Sequence, residues 1–237
     1  MTDRERCVAW LAALYPALTN EQADRFGRYF TLLTEWNRTR NLTAITEPEA
    51  VAEKHFFDSL AAVPLLAAGA RCIDVGTGAG FPGIPLLIVR PDLSVTLLDA
   101  LQKRVEFLEA ALEALGLSAR CLHLRAEDAG RDAALRASFD AALTRAVAPL
   151  PALLELTVPL LRVGGQSIAY KGDPAGELAA AQSACAVQPS QKMVVHCVSC
   201  FMLPASFGPN ITHPGRKMSR NGPPRTCLLY TSDAADE

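Results

Sequence analysis

Three carboxylates and a run of glycines mark where this chain could do chemistry. The stretch Cys72-Ile73-Asp74-Val75-Gly76-Thr77-Gly78-Ala79-Gly80-Phe81-Pro82-Gly83 carries a short apolar run into an acid, a glycine-rich turn and a proline. Glycine admits positive φ and lets a ligand approach where a Cβ would stand in the way. Pro82 suits the first turn of a helix, where its missing N–H removes no intrahelical bond. The pattern reads as a buried strand that hands over to a helix through a ligand-touching loop. A dinucleotide fingerprint G-x-G-x-x-G/A starting at Gly76 would put Phe81 at its third small position, against the close packing that motif needs. No G-x-x-x-x-G-K-[ST] sequence occurs, which excludes a Walker phosphate loop.

A second acid, Asp99, closes the run Leu97-Leu98-Asp99 roughly 20 residues beyond Gly76, where a carboxylate takes both hydroxyls of a ribose. A third acidic step, Arg125-Ala126-Glu127-Asp128, follows the next strand, where an adenine edge would lie. Glycine backbone at Gly76 and Gly78 beside a methionine moiety, Asp99 on the ribose and Glu127 at the adenine together suit S-adenosylmethionine. The plainer alternative is that Asp99 and Glu127 cap the helices that follow them, which does not exclude a ligand role.

The elements that hold these residues can be read from periodicity. From Arg71 onward short apolar runs alternate with helical segments: strands near 71–75, 94–98, 120–124, 139–144 and 166–170, helices near 82–89, 100–115, 128–136 and 149–162. That repetition predicts right-handed βαβ units, an α/β fold with a mainly parallel, Rossmann-like sheet, and a ligand at the carboxyl ends of its strands. The first 70 residues read as an N-terminal helical extension. One helix spans residues 1–18. A second starts at the capping box Thr19-x-x-Gln22 and runs to about Trp36. A third starts at Thr46-x-x-Glu49 with Pro48 and ends at Gly69. The methyl-donor domain is expected over 71–203, with a helix at 174–186 and a strand at 192–198. Residues 204–237 read as an irregular, aberrant tail.

At 237 residues with half of them hydrophobic and a formal net charge of −2, the chain reads as one globular domain with a small extension. It carries no overall positive coat, so any nucleic-acid contact must use a local patch. No apolar stretch approaches the roughly 18 residues of a membrane span, and the charged start Asp3-Arg4-Glu5-Arg6 precedes no signal core. These features predict a soluble cytoplasmic protein, read as a monomer without a membrane partner. Of seven cysteines, Cys7, Cys72 and Cys121 sit in apolar surroundings and read as buried reduced thiols.

The order Trp36-Asn37, Asn41-Leu42-Thr43, His55-x-x-Asp58-Ser59, the block from Asp74 to Leu86, Arg90-Pro91, Leu97-Leu98-Asp99, Lys103-Arg104, Phe107-Leu108, Thr144-Arg145-Ala146 and Lys171-Gly172 resembles one family. It is similar to the bacterial small-subunit ribosomal RNA guanine-N7 methyltransferases, also called glucose-inhibited division protein B, over about residues 8–172. The resemblance implies a class I S-adenosylmethionine-dependent fold, a cytoplasmic location and 16S rRNA or the small ribosomal subunit as substrate. It implies cofactor contacts at Gly76, Phe81, Ala126, Glu127 and Arg145. It calls for no metal.

Guanine N7 has a free lone pair, so its methylation asks for positioning and electrostatics more than for a strong base. Arg145 and Lys171, at the ends of later strands, are the expected catalytic pair: Arg145 holds cofactor and guanine, and Lys171 touches phosphate or is simply a solvated lysine before a turn. His55 and Asp58 share a helix face, as a metal pair, a proton relay or a packing contact against the sheet domain. Arg38 and Arg40 beside Trp36 read as an RNA-facing patch, or Trp36 as a core plug with solvated arginines. Cys197-x-x-Cys200, His213 and Cys227 superficially match zinc spacing, but lack the surrounding pattern of a zinc module. A small-molecule methyltransferase and a non-catalytic S-adenosylmethionine- or RNA-binding module are the rival readings.

Overall fold

The computed structural model of the chain describes residues 1–171, Glu177, 194–198 and 229–230. Helix α1 (Asp3–Leu14) opens on a capping box between Thr2 and Glu5, and α2 (Asn20–Arg40) on the expected one between Thr19 and Gln22. Each box satisfies two of the N–H groups that a helix start leaves unpaired. Helix α2 runs past Trp36 to Arg40 and stops where Asn41 turns left-handed (φ 50°).

The third predicted helix is broken into pieces. A single α-turn, α3 (Pro48–Val51), follows Glu47, whose side chain makes no cap bond, so the Thr46 box does not form. The chain then widens into a π segment (Ala52–Phe57) and tightens into a 3-10 segment (Leu60–Leu65) containing Pro64. Pro64 has no N–H to continue an α-helical ladder. Single π turns of this kind recur at functional sites, and this one carries His55.

Strands β1 (Arg71–Val75), β2 (Ser94–Asp99), β3 (Arg120–His123), β4 (Phe139–Arg145), β5 (Leu161–Tyr170), β6 (Val194–Val198) and β7 (Leu229–Tyr230) form one sheet in the order β3-β2-β1-β4-β5-β6-β7. All neighbours are parallel except β6 and β7. This is the predicted α/β architecture, its chain order reversing between β1 and β4. The crossovers carry α4 (Gly83–Val89), α5 (Gln102–Leu115), α6 (Ala126–Ala129) and α7 (Leu150–Thr157). Pro82 caps α4 from outside and does not open its first turn.

Three boundaries differ from the sequence reading. The helix expected near 128–136 is the short α6, starting at Ala126 and giving way to turns. The helix expected to 162 ends at Thr157, passing through a 3-10 turn (Val158–Leu160) at Pro159. Strand β5 begins at Leu161, because Gly164 at φ +81° and a shift of pairing between Phe139 and Ala141 absorb an irregularity that hides its first half from the alternation pattern. The expected strand at 192–198 is β6. The irregular reading of 204–237 fails at Leu229–Tyr230, which pair with β6. The helix expected at 174–186 lies outside the described residues except for Glu177, which is helical.

Packing explains why the first 70 residues precede the sheet. Phe26, Tyr29, Leu33, Phe56 and Leu60 are fully buried in one apolar cluster with Cys72, Leu86, Leu97, Phe107 and Leu143. The extension therefore covers one face of the sheet, while Leu135, Phe139, Leu160 and Leu161 cover Ile73, Val75 and Leu98 on the other. Burying each large side chain contributes roughly 1.5–3 kcal/mol. Trp36 packs edge-on against Phe107, and Arg40 lies over Trp36 while pairing with Glu106 at 2.9 Å. Trp36 is thus a partly buried plug, while Arg40, which the plug reading leaves solvated, is paired. Cys7 and Cys72 are buried free thiols and Cys121 a half-buried one; burial raises their pKa values to about 12, 12 and 11.

Gly83 is the tightest point of the turn from β1 into α4. A Cβ there would stand 2.4 Å from Leu97 Cδ2 and 2.9 Å from Asp74 Oδ2. Leu97 is fully buried and has nowhere to move. Gly83→Ala should cost about 1–3 kcal/mol, read as a melting temperature lower by roughly 2–4 °C for each kcal/mol. Unchanged melting would mean that the contact yields freely.

Candidate cofactor site

The sheet register gathers the candidate residues. Val75 at the end of β1 pairs with Leu98 on one side and Thr144 on the other, so Gly76, Asp99 and Arg145 are the next residues out on three adjacent strands. The backbone N–H groups of Gly76 and Thr77 donate to the Leu98 carbonyl at 2.9 and 3.1 Å, curling the loop over the end of β2.

Asp74 sets the loop's shape from beneath. It is completely buried, and its Oδ2 accepts from the Thr77 hydroxyl (2.6 Å) and the Gly83 N–H (2.8 Å). Its Oδ1 is equally buried and has no partner. Burial pushes the Asp74 pKa up to about 6, against the two hydrogen bonds and the Arg145 charge that favour the anion. A buried acceptor without a donor is costly unless something supplies one.

Two glycines of the loop serve different ends. Gly80, at φ +92°, is pressed between Ile84 and the Tyr29 hydroxyl, which donates to the Ala79 carbonyl. Gly78, at φ +61°, has nothing within 4 Å of where a Cβ would sit, so its backbone faces open space. An open, left-handed backbone position in a loop whose buried acid has one unsatisfied oxygen fits a ligand that brings its own hydrogen-bond donors. An adenosyl amino acid with a free ammonium group has that chemistry, so the residues present fit S-adenosylmethionine.

Asp99 is 3 % exposed, and its carboxylate is directed into the loop. It accepts from Gly78 N–H and Leu101 N–H, both at 2.9 Å, and from Arg104 at 3.3 Å. It thus ties the glycine loop to the start of α5 and does not cap that helix in the usual way; the cap residue is Leu101, with no side-chain bond. Glu127 sits in the first turn of α6, where a carboxylate favours the helix start, and pairs with Arg125 at 3.1 Å. Its own backbone N–H and Arg125 hold its pKa below the usual glutamate range. Ala126, beside it, packs against the second apolar cluster. The β3 end that leads to this pair lies next to β2, with Leu124 N–H donating to the Asp99 carbonyl at 3.2 Å.

Arg145 and Lys171 are both engaged. Arg145 donates to the Lys54 carbonyl (3.1 Å), Asp58 Oδ2 (3.4 Å) and His55 Nδ1 (2.6 Å), and its guanidinium lies 5.1 Å from the centre of the Phe81 ring. Phe81 is buried, with its ring stacked on His55 at 4.5 Å and tilted against Tyr29. The position that ruled out a dinucleotide loop is thus the anchor between loop and extension. Lys171 donates to the Ala148 carbonyl (2.8 Å) and pairs with Glu177 (2.9 Å), which also accepts from Leu150 N–H. It is not the solvated lysine of the plainer reading. Ala146 is left-handed at φ 55°, and Val147 stands 2.8 Å from where a Gly76 Cβ would be, so the segment after β4 lies against the glycine loop.

His55 and Asp58 both hold Arg145, which is the packing reading of that pair, and the Asp58 backbone N–H also donates to the His55 carbonyl. Among the described residues no three metal-ligating side chains converge, and Cys200, His213 and Cys227 lie outside them. No described helix is long and apolar enough to cross a membrane. The sequence reading missed Tyr29 and Thr43 as site groups. Thr43 sat within a run already singled out, whereas nothing in the helical stripe distinguishes the Tyr29 hydroxyl from a core phenylalanine. A cleft at the opposite end of the sheet, lined by Arg71, Ser94, Arg120 and Phe139, contains none of the candidate residues.

Asp74 makes stability depend on pH in a definite direction. Its folded pKa (about 6) is above its ordinary value of 3.8, so the folded state holds an extra proton between those values. The stability this proton confers is complete below about pH 4 and is lost as pH rises through 6. Relative to Asp74→Asn, the wild type should therefore lose up to about 3 kcal/mol on going from acid to pH 8. Urea unfolding of both proteins at pH 4 and pH 8 checks this; equal changes in the two would exclude a raised Asp74 pKa.

Comparison with known proteins places these residues in one lineage. The family described as rRNA small subunit methyltransferase G matches residues 22–201, a span that holds the glycine loop, all three acids, Arg145 and Lys171. A ribosomal RNA small subunit methyltransferase G from Desulfitobacterium hafniense is 50% identical over 161 residues, 68% of this chain and 67% of that one. A protein of the same name from Streptococcus thermophilus is 49% identical over 164 residues, 68% and 69% of the two chains. A third, from Clostridium beijerinckii, is 49% identical over 158 residues, 65% and 66% of the two. With a match across most of its length and near 50% identity to curated relatives, the chain belongs to the rRNA small subunit methyltransferase G family.

Proposed function

We propose that this protein transfers the methyl group of S-adenosylmethionine to N7 of a guanine in 16S ribosomal RNA, in the cytoplasm, acting as a monomer on the rRNA or the small subunit. Family membership carries the acceptor. The donor is carried by one observation: the open, left-handed Gly78 backbone in a loop whose buried acid, Asp74, keeps one oxygen unpartnered.

The reaction asks little acid–base chemistry of the protein. When bound, the cofactor supplies an electrophilic methyl on a sulfonium sulfur. That methyl would be offered to the free lone pair of guanine N7, so the chain's own residues would have to hold the two in line. No proton has to leave N7 beforehand, so rate comes from in-line alignment and from the electrostatics of the site. In this reading Gly76 and Gly78 line the methionine part and Asp74 Oδ1 accepts from its ammonium. Asp99 is the ribose acid and must share its carboxylate with Gly78 and Leu101. The backbone at Ala126 and Glu127 borders the adenine, with Phe81 as the floor of the loop. Arg145 stands between cofactor and base, and Lys171 meets an RNA phosphate by exchanging its bond to Glu177.

Arg145→Ala should lower methyl incorporation into small ribosomal subunits at least about a hundredfold, with far-UV circular dichroism retained. The test uses subunits from a strain lacking the endogenous enzyme, with nucleoside mapping of the product. Full activity in Arg145→Ala, or wild-type protein that restores no 7-methylguanosine, would overturn the assignment.

A further inference from the structure

A chain of hydrogen bonds runs from α2 in the extension to Arg145 at the end of β4. Asn37 folds the turn after α2 onto itself. Its Oδ1 accepts from the Leu42 and Thr43 N–H groups (2.7 and 2.9 Å), and its amide donates to the Thr43 carbonyl (2.9 Å). This holds Thr43 so that its hydroxyl oxygen is 2.7 Å from His55 Nε2 and 3.1 Å from the Ile45 N–H. On the other side of the ring, Arg145 Nη2 lies 2.6 Å from His55 Nδ1.

The tautomer follows from donor chemistry. Arginine has only donors, so Nδ1 must be the bare, accepting nitrogen. The ring proton is then on Nε2 and is donated to Thr43. Protonating Nδ1 would set a donor against a donor and a cation against a cation. The ring is buried among groups of three origins: Arg145 from β4, Lys54 and Asp58 from its own segment, and Phe81 from the glycine loop. Burial first, and then the Arg145 charge, push the His55 pKa down to about 4, so the accepting form persists through neutral pH.

We propose that His55 is the positioning residue of Arg145: it fixes the guanidinium over Phe81 at the cofactor edge, with Thr43 setting its tautomer. The N-terminal extension is then part of the methyl-transfer site. This rests on the reading of Arg145 as a cofactor-side group. Without the His55 acceptor, Arg145 keeps the Lys54 carbonyl and Asp58, but loses the contact that orients its outer nitrogen.

The experiment is calorimetric titration of the full chain with S-adenosylhomocysteine at pH 7.5, alongside melting curves and methylation kinetics. His55→Phe retains a ring on Phe81 but no acceptor, and should bind about 10- to 100-fold more weakly, the usual worth of a hydrogen bond to a charged group. His55→Asn restores an acceptor and should recover binding to within roughly threefold of wild type. His55→Phe combined with Arg145→Ala should bind no more weakly than Arg145→Ala alone, since the first acts only through the second. Thr43→Val, which leaves the ring in place, should weaken binding in the same direction. The ratio of wild-type to His55→Phe affinity should stay level from pH 8 to about 5 and fall towards pH 4, because any change from Asp74 near pH 6 is common to both proteins.

Wild-type affinity in His55→Phe, or additive losses in the double variant, would overturn the proposal. A purely structural role would lower melting temperature without changing the affinity ratios. Failure of the methylation assignment shows separately, as wild-type protein that binds S-adenosylhomocysteine but labels no small-subunit RNA. Wild-type protein that binds no S-adenosylhomocysteine overturns the cofactor reading and this proposal together.

Discussion

A single buried carboxylate oxygen holds both ends of the glycine turn. Asp74 Oδ2 takes the Thr77 hydroxyl at the start of the loop and the Gly83 N–H at the start of α4, so β1 cannot lead into any other turn without leaving an anion unpaired. The three left-handed glycines (Gly76, Gly78 and Gly80) are conformations this closure requires. The partner oxygen, Oδ1, is left without a donor. The same residue that builds the loop thus keeps one buried acceptor unfilled.

The second constraint is the tie between loop and extension. Phe81 lies among Tyr29, His55 and Phe56, so the loop's outer wall is made of side chains contributed before the sheet begins. Tyr29 reaches the Ala79 carbonyl, and Arg145 reaches back from β4 to Lys54, His55 and Asp58. A largely buried polar clasp of this kind has to be nearly complete, because each unpaired buried member would cost the desolvation of its group. The break of the third helix into π and 3-10 segments accompanies this. The π turn carries His55, and Asp58 closes it toward the same guanidinium.

The parallel βαβ core was legible because its buried strands are short apolar runs bounded by turn residues. Four of the five predicted core strands match to within a residue or so. The errors fall where local pattern and tertiary need diverge. Gly164 and the pairing shift opposite Phe139 disguise the start of β5, and Pro64 and the π turn interrupt a stripe that reads as one helix. Asp99 was legible as a strand-end acid but not as a loop tie, because its bond to Gly78 depends on how two strands meet. Lys171 offered no sign of Glu177, which lies several residues on and also accepts from the start of α7.

By itself the sequence determined the glycine loop, its three acids, the alternation that makes a parallel sheet and a family's worth of motifs. Those depend on residue type and on spacing along one strand or helix, which the chain carries locally. Tertiary structure alone decided which oxygen of Asp74 stays unpaired, which nitrogen of His55 accepts, and that Phe81 serves as the extension's anchor. Each of these is set by groups from distant segments meeting in a largely buried space, where one donor or acceptor more or fewer changes what the site can bind.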